Sequence, residues 1–363
     1  MSGNPGSSKD RGRESSQATS RPESIPSSRQ TTPPTPMLTL AVSPLVTAGN
    51  GQGLGAFASQ RIKAGEVIIE EKPLLTADVT LWSDDTSPRS IVDAFADMWP
   101  DRQEYYLNRY TYVADERKLL DYATAYTAAA NVELPTKQEK LKIGKVFAIF
   151  YNTAASFGNF DSGFGKDLPR LNHSCVPNAA HIFDETRKRS VVRAIRDIPA
   201  GQEILLSYVP EIAPKNVRAL KLEPYGFTCT CLACGENDYA NRTEARRKEL
   251  WKLQSQIDTL EFSEGSEHEE AVVDTEAPSL EDIPDMLALM VKLMKGEPAM
   301  QVARGETAYK LGKQCSQMQE LALAKKWLEF ALPLLTLCRG ENDSLTKDCV
   351  RMLGKLPASR HGL

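Results

Sequence analysis

Three cysteines fall within six residues in Cys229-Thr230-Cys231-Leu232-Ala233-Cys234, and that spacing constrains the chain more than any other feature. Thiols so close in sequence can share one ion only across a tight turn, and Gly235 directly after the last of them suits one. A structural zinc takes four ligands in a tetrahedron, so this C-x-C-x-x-C run supplies three and a distant segment must supply the fourth. Cys175, in the polar turn Asn172-His173-Ser174-Cys175, is the candidate, because it is otherwise unexplained. Such a closure would pin the segment at 229–234 against that turn and bring Tyr225 and Phe227 beside it. Three free cysteines are the alternative. Cys315, Cys338 and Cys349 lie in apolar helical surroundings and read as buried structural thiols.

The totals narrow the class. A chain of 363 residues is too long for one ordinary core, so two domains plus tails are expected. A hydrophobic fraction of 41% and a charged fraction of 25% are those of a globular protein. A net charge of −4 excludes a strongly basic nucleic-acid footprint. No apolar run approaches the roughly 18–20 residues of a bilayer span, and the N-terminus has no apolar signal core. Seven cysteines, an odd number with three clustered, fit a reducing intracellular setting better than a disulfide framework.

Residues 1–36 are rich in Ser, Pro, Arg and Thr and have no aromatic residue, so they cannot offset their ordering entropy and are expected to be disordered. An unselected flexible tail is the plain reading; a basic localisation or phosphorylation tail is the functional one. Order is expected to begin with strands at 37–42 and 67–71. Ile62-Lys63-Ala64-Gly65-Glu66-Val67-Ile68 has an echo in Ile198-Pro199-Ala200-Gly201-Gln202-Glu203-Ile204, and both read as an Ala-Gly turn launching a strand. Bracketing the Asn-His-Ser-Cys turn, they predict a β-rich fold (37–81 and 156–210) split by an insertion. The insertion, 82–155, reads helical: an apolar face from Ile91 to Trp99, a helix over 115–126, and a third helix opened by the capping box Thr136-Lys137-Gln138-Glu139. Strands return at 178–183, 190–195 and 203–208. After the cysteine segment at 211–238, residues 239–363 read as helices over 242–260, 286–295, 302–315, 322–338 and 344–353. The acidic stretch 261–285 carries no Lys or Arg and reads as a solvated loop, with a clamp for a basic peptide as the alternative. Antiparallel helix pairs in a small bundle or TPR-like array fit, without a clean 34-residue period.

Single residues carry less alone. His173 could be a satisfied structural histidine, but Asn172 and Ser174 beside it bias it toward a polar site. Tyr208 at a strand end is ordinarily amphipathic packing. The loop Gly51-Gln52-Gly53-Leu54-Gly55 is no dinucleotide fingerprint, although it permits close backbone approach to a ligand. Cys175 and His173 could be read as nucleophile and base, but they stand two residues apart on a turn with no glycine-rich oxyanion segment before them.

Taken in order, the glycine-rich loop, Leu171-Asn172-His173-Ser174-Cys175-Val176-Pro177-Asn178, Glu203-Ile204-Leu205-Leu206-Ser207-Tyr208, and Tyr225-Gly226-Phe227 ahead of C-x-C-x-x-C resemble the SET-domain protein-lysine methyltransferases. The likeness covers residues 37–235 and looks closest to the SET-and-MYND branch, in the fungal form lacking the MYND finger. It implies an α+β fold: small β-sheets closed by a pseudoknot, split by the helical insertion, followed by a zinc-binding post-SET segment and the helical, TPR-like C-terminal domain. It implies S-adenosylmethionine as cofactor on one face, with a protein lysine entering from the other. Gly51, Gln52 and Gly53 match the loop whose backbone contacts the cofactor, Asn172 and His173 the pair that binds it, and Phe227 the ring packed on its adenine. Tyr208 matches the tyrosine at the methyl-transfer site, Tyr225 an aromatic lining the lysine channel, and Cys175, Cys229, Cys231 and Cys234 a site for one zinc ion.

Two departures stand out. Residues 72–170 contain no Cys or His, so no MYND array lies there. An Asn that family members carry before the Asn-His-Ser-Cys motif has only Asn152 as counterpart here. The resemblance implies a lysine methyltransferase acting on histone tails or other proteins, as a monomer in the nucleus or cytoplasm, without direct nucleic-acid or membrane contact. A catalytically inactive SET scaffold that binds a peptide or protein is the alternative.

Overall fold

The computed structural model describes residues 38–42, 54–78, 87–109, 113, 115–157, 161–263 and 278–357. The glycine-rich loop residues Gly51, Gln52 and Gly53, the tail 1–36 and most of the acidic stretch, 264–277, lie outside the described residues.

The chain runs β1 (Leu38–Val42), β2 (Leu54–Ala58), β3 (Val67–Glu71) and β4 (Leu75–Asp78). Four helices follow, α1 (Ser87–Ala96), α2 (Pro100–Leu107), α3 (Glu116–Ala130) and α4 (Lys137–Thr153). Then come β5 (Ala155–Phe157), β6 (Asp161–Phe164), β7 (Asn172–His173), β8 (Ala179–Asp184), β9 (Arg189–Ala194) and β10 (Leu205–Leu206). The remainder is helical: α5 (Lys215–Leu222), α6 (Asp238–Ser263), α7 (Ile283–Leu293), α8 (Gln301–Gln317), α9 (Leu321–Arg339) and α10 (Ser344–Lys355). None of the described helices is long and apolar enough to cross a membrane.

The sheets are small: β1 with β2, a three-stranded β3-β9-β8, a three-stranded β4-β6-β5, and the pair β10-β7. The first core lies between them, with Ile62, Val192, Ile198 and Ile204 wholly enclosed. The segments leading into the two Ala-Gly turns pair directly, side by side. Ile62 and Ile198 form an antiparallel bridge, the Ile62 N–H donating to Ile198 O at 2.9 Å and the Ile198 N–H to Ile62 O at 2.8 Å. Gly65 and Gly201 take φ of +87° and +79°, the left-handed region where a side chain is strained. The echo in sequence is thus a pair in space.

The helices between β4 and β5 build a second core on the β4-β6-β5 sheet, joining Ile91, Phe95, Tyr106, Phe147 and Phe150 to Leu75 and Phe164. Tyr106 is enclosed, and its hydroxyl donates to Val146 O at 2.8 Å. The predicted capping box forms: the Glu139 N–H donates to Thr136 Oγ1 and the Thr136 N–H to Glu139 Oε2 at 3.0 Å. The helix of 115–126 runs on to Ala130 and stops at Asn131 in the left-handed conformation.

The C-terminal helices make a third core, and α9 packs on β8 and β9 of the first. Here α6, α8 and α9 extend beyond the predicted ends by one to four residues, α10 runs two residues further at its C-terminal end, and α7 starts three residues earlier than 286 and stops two residues before 295. The strand expected at 203–208 shrinks to Leu205–Leu206, because Ile204 bonds to Ala56 O on one side before the chain turns to pair with β7 on the other.

Candidate active site

The Asn-His-Ser-Cys segment and the strand before Tyr208 lie side by side. Asn172 pairs with Leu205 and His173 with Leu206 in parallel. The Ser174 N–H donates to Leu206 O at 2.8 Å and the Asn178 N–H to Leu205 O at 3.1 Å. Asn178, 0% exposed, clamps the crossing. Its amide donates to Glu203 O and its side-chain oxygen accepts from the Leu205 N–H, both at 2.8 Å. A buried amide with donor and acceptor both met is rigid, and no sequence signal beyond its place in the motif marks this role.

That crossing gathers the aromatic residues singled out from the sequence. The Tyr208 ring lies 5.0 Å from Tyr225 and 5.2 Å from His173, and Phe227 lies 6.0 Å from His173 and 6.4 Å from Tyr225. The Tyr208 hydroxyl donates to Leu171 O at 2.5 Å. Tyr208 and Tyr225 form part of the wall of a cavity of about 310 Å³, with Asn152, Leu168, Leu171 and His181. Among the described residues, no Asp, Glu, Lys or Arg lines it. Burial, then Tyr225 and Glu203, pushes the Tyr208 phenol well up, and burial raises Tyr225. Burial pushes His173 and His181 each down to about 4, so both rings are neutral at physiological pH. The cavity therefore offers un-ionised phenols, π faces and neutral dipoles, a lining suited to an amine or a sulfonium and poor in acid–base groups. Asn152 reaches its wall, but its amide donates to Ala148 O within α4 at 2.7 Å. His181 was not anticipated; it sits on a strand, where alternation alone does not separate a channel wall from a core face.

Beside β2, the Asn172 amide donates to Glu203 Oε1 at 2.8 Å. Burial raises the Glu203 carboxyl. Gly55 on β2 lies against this pair, and a Cβ there would overlap the Glu203 carboxylate and crowd the Asn172 amide. The glycine is needed for close approach, not for an unusual φ.

The four thiols of Cys175, Cys229, Cys231 and Cys234 lie within 4.8 Å of one another, and none forms a disulfide. Cys175 Sγ is 3.9 Å from Cys229 Sγ and 3.5 Å from Cys234 Sγ. Zinc–sulfur bonds of about 2.3 Å put tetrahedral sulfurs about 3.8 Å apart, so the donor set fits one zinc ion. The expected turn is present, with the Cys234 and Gly235 N–H groups both donating to Cys231 O. Cys175 is pushed up chiefly by hydrogen bonding to Cys229, and Cys234 down to about 6 chiefly by hydrogen bonding to Cys175. Arg218 on α5, 1% exposed, places Nε 3.2 Å from Cys175 Sγ and Nη2 3.7 Å from Cys234 Sγ. A cation beside four thiolates offsets the −2 charge of a zinc tetrathiolate. Arg218 shares the buried face of α5 with Leu222, and that spacing is its one signal in the sequence.

His173 Nε2 also reaches Cys175 Sγ, at 3.3 Å, closer than the two-residue spacing suggested. The turn folds the ring back over its own chain. A nucleophile nonetheless needs access, and Cys175 is 0% exposed among three other thiols.

Residues 53–209 match the SET domain family. Histone-lysine N-methyltransferase set5 of Schizosaccharomyces pombe is 32% identical over 111 residues, 30% of this chain and 35% of that protein. Histone-lysine N-methyltransferase SMYD3 of Mus musculus is 22% identical over 231 residues, 54% of each. N-lysine methyltransferase SMYD2 of Homo sapiens is 36% identical over 78 residues, 21% of this chain and 18% of that one. The chain spans about half the length of the mouse relative and less of the other two. A solved SET domain of LSMT bound to lysine and AdoHcy overlays at a TM-score of 0.37 and 12% identity, covering 88% of this chain and 87% of that one.

Proposed function

From a chain that carries a SET domain over residues 53–209, related to the SET-and-MYND branch, we propose an S-adenosylmethionine-dependent protein-lysine N-methyltransferase. The observation that carries this reading is the cavity walled by Tyr208 and Tyr225, with the tilted rings of His173 and Phe227 adjoining them and no charged residue among the described residues of the lining. Asn172, His173 and Phe227, with the loop Gly51-Gln52-Gly53, would hold S-adenosylmethionine, which supplies the electrophilic methyl group when bound. Cys175, Cys229, Cys231 and Cys234 would hold the structural zinc, keeping Tyr225 and Phe227 in place.

The residues of the chain supply binding and alignment. Lysine has an ordinary pKa of about 10.4, so its reactive neutral form is scarce in water. An uncharged cavity disfavours the ammonium and so favours the nucleophile. The Tyr208 hydroxyl, fixed by Leu171 O, presents its oxygen to the reacting groups, orienting the amine and stabilising the polarised methyl through weak C–H···O contacts. Exclusion of water and alignment of donor with acceptor supply the rest. Tyr225 walls the lysine channel.

The relatives' names support a histone substrate and hence a chromatin setting; other proteins presenting a lysine fall within the same chemistry. The net charge of −4 supports a protein rather than a nucleic-acid partner. We assign the catalytic parts to 37–81 and 156–210, the helical insertion to 82–155, the zinc segment to 211–238 and the helical C-terminal domain to 239–363, in a monomer of the nucleus or cytoplasm. No observation favours an inactive scaffold, since Tyr208 and Tyr225 wall one cavity and the rings of His173 and Phe227 adjoin them.

Calorimetric titration of metal-assayed protein with S-adenosylmethionine, followed by tritiated methyl transfer to a lysine-peptide library, tests the reading. One-to-one binding abolished by Asn172→Ala, about one zinc per chain, and label on lysine are expected. Folded, zinc-loaded protein that neither binds the cofactor nor labels any peptide overturns it.

A further inference from the structure

The geometry points to His173 as a positioning residue that couples the metal centre to Tyr208, its ring bridging the Cys175 sulfur and the Tyr208 backbone N–H. The inference rests on the reading of Tyr208 as the transfer-site tyrosine, and it gives His173 a task distinct from holding cofactor.

The Tyr208 N–H lies 3.0 Å from His173 Nδ1. An amide N–H can only donate, so Nδ1 is the accepting nitrogen and the ring proton belongs on Nε2. Nε2 stands 3.3 Å from Cys175 Sγ and donates there. A neutral thiol is a weak acceptor, whereas a thiolate bonded to a metal accepts well. The ring is therefore held hardest when the cluster is loaded. Both partners are enclosed, His173 at 2% and Cys175 at 0% exposure, so water does not replace either bond.

Tyr208 needs such a hold because the ladder stops before it. Strand β10 ends at Leu206, and its backbone pairing with β7 fixes His173 rather than Tyr208. Tyr208 is tied at two points, its hydroxyl to Leu171 O and its backbone to the His173 ring. The first tie comes from the residue before β7, and only the second leads to the cluster. Arg218 Nε, the other donor to Cys175 at 3.2 Å, keeps that sulfur in place from the opposite element. Zinc thus fixes the backbone that presents the transfer-site phenol, as well as closing the C-terminal segment.

Two measurements test this, neither using methyl transfer, so failure of the proposed activity and failure of this coupling are distinguishable. The first is amide exchange at Tyr208 in zinc-loaded and EDTA-stripped full-length protein, with the Val191 and Val192 amides of β9 as internal control. Stripping is expected to speed exchange at Tyr208 at least tenfold while β9 holds, and in His173→Phe Tyr208 is expected to exchange fast in both states. The second is the thiolate-to-metal charge-transfer band of cobalt-loaded protein. Removing a hydrogen bond to Cys175 is expected to shift the band to lower energy in His173→Phe, with the tetrahedral ligand-field bands unchanged. Tyr208 exchange indifferent to zinc while β9 is intact overturns the proposal. If stripping also opens β9, the cobalt band decides, and an unshifted band overturns it. If His173→Phe does not fold, the wild-type exchange comparison decides alone.

Discussion

Replacing Arg218 with methionine keeps most of the side-chain volume and removes the buried charge beside the thiols. The guanidinium is 1% exposed and donates from Nε to Cys175 Sγ at 3.2 Å and from Nη2 to Cys234 Sγ at 3.7 Å. It also donates to Ala213 O and Ala233 O and pairs with Glu244 at 3.7 Å. Hydrogen bonds to charged groups are worth about 1.5–3 kcal/mol each, so losing both bonds to sulfur costs zinc binding about 3 kcal/mol at the low end. That corresponds to about a hundredfold rise in the zinc Kd, at the upper end of the 10–100-fold typical of groups that support metal ligands. The carbonyls of Ala213 and Ala233 lose their donor in either metal state, so their cost cancels from the comparison. Competition against a chromophoric chelator measures the Kd, and thermal unfolding with and without zinc measures the difference in stabilisation. The variant is expected to bind zinc about 10–100-fold more weakly and to gain less in Tm on loading. A Kd within threefold of the parent, with zinc bound by all four sulfurs, would refute the claim that Arg218 offsets the cluster's charge.

Tyr208→Phe is expected to lower turnover by about 10²–10³, the cost of one dipole aimed at a transition state, with S-adenosylmethionine affinity retained by calorimetry; undiminished turnover sinks the assigned role. Gly55→Val forces a branched side chain onto Glu203 and Asn172, so urea unfolding should show a loss of about 1–3 kcal/mol, and an unchanged midpoint would mean the Glu203–Asn172 pair yields freely. Glu211 responds to pH: burial, with Glu306 adding, pushes its carboxyl up to about 8, and its Oε2 has no hydrogen-bond partner. The folded chain keeps a proton that the unfolded chain releases at the ordinary Glu value of 4.5, so stability is full below that value and falls as pH rises toward 8. Glu211→Gln should flatten that decline in a plot of Tm against pH, and equal slopes for the two proteins would count against it.

What could be read from the sequence was carried by short-range chemistry. The capping box at Thr136 and Glu139 and the Ala-Gly turns at Gly65 and Gly201 are each fixed within a few residues. The meeting of Cys175 with Cys229, Cys231 and Cys234 was legible for a different reason, since three clustered thiols leave a ligand missing. Arg218 was not legible, because an arginine in an eight-residue helix ordinarily faces water, and only the thiols across from α5 give it a buried partner. His181 escaped for the same reason, its cavity neighbours being far away in sequence, and Gly55, read as allowing close approach to a ligand, makes room for the Glu203 and Asn172 side chains. The strand read at 203–208 came out mostly irregular because its partners change along its length, from β2 to β7, which an apolar run does not report.

The bridge between Ile62 and Ile198 bears on the order of assembly. It joins segments more than a hundred residues apart and encloses the core of the small sheets, so the chain closes a very long loop before any of that apolar surface is rewarded. The insertion helices between these segments contact one another at short sequence separation and can form within that open loop. On a ribosome β3 must wait, unpaired, until β9 has emerged, β2, already paired with β1, must wait for residues 202–204 on its other side, and the cysteine cluster waits longer still. During that interval the insertion helices can already be formed while the sheets on either side of them in sequence are half made. The chain's period of greatest exposure to aggregation is therefore set by translation time rather than by the speed of any single folding step.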